Sequence, residues 1–166
     1  MWLVPHAGPA ADSDAVYSAY ARIIERVLSL VSSSPSGPSA AVDPAFLLHS
    51  GPGMVLRCES VERLLSAFPS HILGVETSDG GFGCWLLPLC PPPILPLALA
   101  VAGEYAFARQ FVEAFGSRGL SLFSGTEAAL VPTLKAGGSG VIAPPANVFP
   151  RQLNMLFQRW GAPACL

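Results

Sequence analysis

Short apolar runs alternate with amphipathic helical stretches along nearly the whole of this 166-residue chain, and that alternation restricts the fold more than any other feature. Trp2–Val4, Ala45–His49, Ile72–Glu76, Leu120–Ser124 and Val141–Ala143 lack clean polar alternation, as expected of strands covered on both faces. Between Asp14 and Val31 the residues Val16, Tyr20, Ile23, Ile24, Val27 and Val31 recur at helical spacing, with Asp12 or Ser13 able to cap the first turn. Glu59–Phe68, Leu97–Phe115, Thr126–Lys135 and Pro150–Trp160 predict four further helices, the third of them with Thr126 as its cap. Strand and helix in strict alternation imply a parallel sheet with right-handed crossovers. A doubly wound sheet and part of a (β/α)8 barrel both satisfy the pattern. No GxGxxG or GxxxxGK[ST] follows any strand, so a nucleotide cradle has no support.

The length predicts one domain over residues 1–166, interrupted by a Ser/Pro loop at 32–41 and a proline-rich apolar insertion at 83–96. Cys84–Gly103 is almost wholly apolar and long enough to span a bilayer. Pro88, Pro91, Pro92, Pro93 and Pro96 each remove an N–H donor, however, so the stretch is read as an insertion that enters a helix near Leu97. The net charge of −2 and the scattered arginines leave no electrostatic footprint for nucleic acid or for an anionic membrane. Cys58, Cys84, Cys90 and Cys165 fit no zinc spacing and read as reduced thiols. The opening MWLVPHAGP has no basic stretch ahead of a long apolar run, so no signal peptide is expected and a cytoplasmic location is favoured.

Several motifs follow one another in register with a known family. Ile72-Leu73-Gly74-Val75-Glu76-Thr77-Ser78-Asp79-Gly80 resembles the sixth strand of the dihydrodipicolinate synthase / N-acetylneuraminate lyase family. Val4-Pro5-His6 resembles the end of its fourth strand. Leu47-Leu48-His49-Ser50-Gly51-Pro52-Gly53 resembles the fifth strand with its Y-N-x-P loop, and Leu122-Phe123-Ser124-Gly125-Thr126-Glu127 the seventh. The stretch Leu134–Ile142, with Ala146-Asn147-Val148-Phe149-Pro150, resembles the eighth strand and its G-V-I-S…N-V-x-P tail, the most specific of these matches. The resemblance implies a partial TIM barrel of about five parallel β-α units and a chemistry of pyruvate or another 2-keto acid. In that chemistry a strand-six lysine forms a Schiff base, a strand-five tyrosine relays protons, and no cofactor is needed. Lysine suits the role because desolvation lowers its pKa and frees a nucleophilic amine.

The sequence departs from the family at each of those positions. Glu76 stands at the lysine position and His49 at the tyrosine position. Met54 and Val55 replace the arginine and threonine of the strand-five loop, and Ala143 replaces the serine of G-V-I-S. The only lysine, Lys135, precedes strand eight, at the end of the barrel away from the active mouth. Ser124, Gly125, Ile142 and Asn147 are the residues left to line a substrate pocket. Strands one to three have no counterpart in this sequence, so an open half-barrel with unpaired edges is expected, as a homo-oligomer or as a partner of an intact barrel. The chain then reads as a non-catalytic or incomplete relative of the pyruvate aldolases. The alternative is an active lyase or aldolase, of 4-hydroxy-2-oxoglutarate or 4-hydroxy-tetrahydrodipicolinate type, whose remaining residues are missing or relocated.

Two constellations admit a bolder reading beside a plain one. His6, His49 and Glu76 end three successive strands, and two histidines with one carboxylate make a facial metal triad in other proteins. The plainer reading, preferred here, is drift to polar residues after the lysine was lost, with no metal. A dry strand mouth would make Glu76 a general base; the plainer reading is an exposed polar strand end. Ser124 and Asn147 are read first as partners of loop backbone.

Overall fold

A computed structural model describes residues 2–3, 12–33, 43–51, 54–77 and 95–160, with backbone alone for 2–3 and 95–104. The elements run β1 (Trp2–Leu3), α1 (Ser13–Ser32), β2 (Phe46–Ser50), α2 (Cys58–Ala67), β3 (Ile72–Thr77), α3 (Leu95–Phe115), β4 (Ser121–Ser124), α4 (Leu130–Lys135), β5 (Gly140–Val141) and α5 (Pro150–Trp160). Short 3-10 turns at Gly116–Arg118 and Pro144–Asn147 complete the order. The expected β-α alternation is therefore present, and the pairings of β1 with β2, β3 with β4 and β4 with β5 are parallel. The fold class is α/β with a parallel sheet. The chain divides into two compact units, residues 1–73 and 74–166, with the break inside β3.

In the first unit β1 pairs with β2, Trp2 opposite Leu47 and Leu3 opposite Leu48. Helix α1 begins where its cap predicts: the Asp12 carboxylate accepts the Ala15 N–H at 2.8 Å. Val16, Tyr20 and Ile24 are buried on one side of α1, and Val61, Leu64 and Leu65 on one side of α2. With Phe46 and Leu48 of β2 they form the core, each side chain contributing about 1.5–3 kcal/mol of burial. The two helices pack together. At their surface Arg63 reaches the Asp14 carboxylate at 2.5 Å and lies over the Tyr17 ring at 4.3 Å.

His71 ties the approach to β2 onto the start of β3. Its carbonyl accepts the Phe46 N–H at 2.6 Å, and its own N–H donates to the Phe68 carbonyl. Ring atom Nδ1 lies 3.0 Å from the Pro44 carbonyl and 3.4 Å from the Asp43 carboxylate. One residue thus fixes the relative start of two strands. The run Ile72–Glu76 shows the strand but not this tie, because Pro44 and Phe46 are distant in sequence.

In the second unit β3 pairs with β4 and β4 with β5. Gly74 faces Ser121, Val75 faces Leu122, Glu76 faces Phe123 and Thr77 faces Ser124. Phe107, Phe111 and Phe115 recur one turn apart along α3, with ring centroids 5.9 and 5.0 Å apart, and all three are buried. The following 3-10 turn stops at Gly119, whose φ of 78° is left-handed and suits glycine. Among the described residues no helix is long and apolar enough to cross a membrane.

The largest departure from expectation is α4. The sequence predicts a helix from Thr126, whereas the helix starts at Leu130 and Thr126 caps nothing. The reason is Pro132. A helix from Thr126 would bury that proline in its interior, without an N–H and with its ring against the carbonyl four residues back. Starting at Leu130 puts Pro132 in the first turn, where the missing donor costs nothing. β5 is also shorter than Val141–Ala143, because Pro144 and Pro145 turn the chain into a 3-10 segment. Conversely α3 starts two residues early, at Leu95, accepting Pro96 in its first turn. The Ser/Pro loop beyond Ser33 and the proline-rich stretch up to Ile94 lie outside the described residues.

Candidate functional site

In parallel β-α units the C-terminal strand ends and the loops after them carry function. At the end of β2, Phe46, Leu48 and Ser50 point to one face and are buried, while Leu47 and His49 point to the other and are half-buried. The His49 carbonyl accepts a hydrogen bond from the hydroxyl of Tyr20, a fully buried residue of α1. Ser50 is occupied: its buried Oγ accepts the Leu56 N–H at 3.0 Å. The loop after β2 is closed by reciprocal bonds, Gly51 N–H to Met54 O at 3.2 Å and Met54 N–H to Gly51 O at 3.0 Å. Met54 is buried. An apolar side chain therefore fills the position where the resemblance implies a carboxylate-holding arginine.

In the second unit Glu76 is 1% exposed, one of the most buried side chains among the described residues. It shares a face with Gly74, and its register partner Phe123 lies on the same face of β4. Beyond Phe123 comes Gly140, whose open side is bordered by the rings of Phe123 and of Phe157 from α5. The surroundings of Glu76 along β4 and β5 are thus aromatic and small. A carboxylate there can hold or accept a proton, but it has no nitrogen from which to build an imine.

The other expected pocket residues come together through backbone. Gly125 N–H donates to the Thr77 carbonyl at 2.5 Å, and Ile142 N–H donates to the Ser124 carbonyl at 2.8 Å. Ser124 Oγ donates to the Thr126 carbonyl at 2.8 Å and accepts the Thr126 N–H at 3.2 Å. It serves its own turn, as the plainer reading of the sequence had it. Thr77 Oγ1 donates to the Phe123 carbonyl at 3.4 Å. Asn147 ends the 3-10 segment after β5 and is exposed.

His49 belongs to the first unit, Glu76 to the second, and His6 lies outside the described residues. No three His, Cys, Asp or Glu among the described residues gather as metal ligands. Lys135 is the last residue of α4, exposed, with Nζ 4.6 Å from the Trp160 ring centroid. It precedes β5 and so stands at the starting end of that strand, away from Glu76. Cys58, at the first position of α2, has its thiol pushed above the ordinary value by burial, with its own backbone N–H acting in the opposite sense. That favours the inert thiol form over a nucleophile.

Sequence reasoning missed two residues here. Tyr20 appeared as one member of an apolar helical stripe, and nothing along the chain pairs its hydroxyl with β2. The apolar run Ile72–Glu76 stops one residue short of Thr77, which is the last residue of β3. A threonine after an acidic residue carries no signal that its hydroxyl will cross to the next strand.

No protein-family model, no curated protein and no solved structure matches the chain.

Proposed function

We propose that this chain is a non-catalytic or incomplete relative of the pyruvate-dependent class I aldolases, a partial (β/α)8 barrel without Schiff-base chemistry. One observation carries the reading. The strand end that resembles the family's lysine-bearing strand holds a buried carboxylate, Glu76, in place of an amine. The parallel β-α order supports the barrel part of the proposal. Two local features support the loss of chemistry: Met54 is apolar at the arginine position, and the Ser124 hydroxyl is spent on Thr126.

The test is reductive trapping with labelled pyruvate and borohydride, followed by peptide mapping. The side chains offer a single amine, Lys135, so background labelling has one side-chain address. The expected result is weak, non-saturable labelling at Lys135 that a Lys135→Arg variant loses. Saturable labelling of Lys135 by pyruvate, or cleavage of a 4-hydroxy-2-oxo acid by the chain, would overturn the proposal and restore the alternative of an active 2-keto-acid lyase with relocated residues.

A further inference from the structure

We draw no further inference here: the strongest candidate, the first turn of α2, where Arg57 supplies no side-chain cap and the buried Ser60 hydroxyl has no partner, carries nothing because Ser60 lies on the buried side of the helix with Val61, Leu64 and Leu65, which leaves a helix N-terminus with no side chain aimed at a ligand.

Discussion

Gly74→Ala is the sharpest test of the β3–β4 ladder. A Cβ built on Gly74 lies 2.0 Å from the carbonyl oxygen of Ser121, 2.8 Å from its carbonyl carbon and 3.0 Å from its nitrogen. Real Cβ atoms essentially never come closer than 3.0 Å to another heavy atom, so the strands must part by at least about 1.0 Å. The obstructing atoms are backbone, and no rotamer relieves them. A ladder bond of about 2.9 Å stretched by that much is no longer a hydrogen bond. Four residue pairs share this ladder, Gly74–Thr77 against Ser121–Ser124. If the opening stays near Gly74, about two bonds are lost; if it runs the length of β4, about four. At about 1 kcal/mol each the cost is about 2–4 kcal/mol, a large share of a typical stability of about 5–15 kcal/mol. Urea unfolding followed by circular dichroism reads it directly. Gly119→Ala is the control: it has φ 78° but no atom within 4 Å of the added Cβ, so it carries backbone strain alone, about 1 kcal/mol. A Gly74→Ala midpoint no lower than that of Gly119→Ala would refute the close approach of β3 and β4.

Other consequences are simpler to state. Asp12→Ala removes the cap of α1 and should cost about 1 kcal/mol in the same urea assay, with Asp12→Ser retaining most of it. Tyr20→Phe deletes the hydroxyl that serves the His49 carbonyl and should destabilise by about 1–2 kcal/mol, although the ring still fills its place. Cys58 should alkylate with iodoacetamide more slowly than free glutathione at neutral pH, and its rate should rise only above the ordinary thiol value. The folded chain holds that proton more tightly than the unfolded one, so stability should fall as pH climbs from the ordinary thiol value through the raised one. A rate profile matching glutathione would count against its burial.

How much was legible beforehand follows from the range of each interaction. The cap of α1 and the stripes of α1 and α2 depend on residues three or four apart, and both helices fall within a residue or two of their sequence boundaries. α5 spans the expected Pro150–Trp160. α4 was misjudged because Thr126 and Glu127 imitate a helix start, while the residue that governs, Pro132, acts from inside the span. At the candidate site the identity of Glu76 was plain in the sequence. Its burial was not, since a single carboxylate ending an apolar run reads equally as an exposed strand tip. The two hydrogen bonds between the Ser124 hydroxyl and the Thr126 backbone fit the turn chemistry a Ser-Gly-Thr string allows. The pairing of Tyr20 with His49 spans 29 positions, and no local pattern announces it.

The late start of α4 leaves Gly125–Ala129 as a short connection anchored at both ends, by Gly125 on Thr77 and by the proline-led first turn. A segment so anchored is a natural graft point. Foreign residues inserted between Glu127 and Ala129 would lengthen the connection without shifting the register of β4 or the phase of α4. In a chain whose one lysine, Lys135, stands at the starting end of β5, that is the place where a second lysine-bearing loop, or a peptide tag, is best installed.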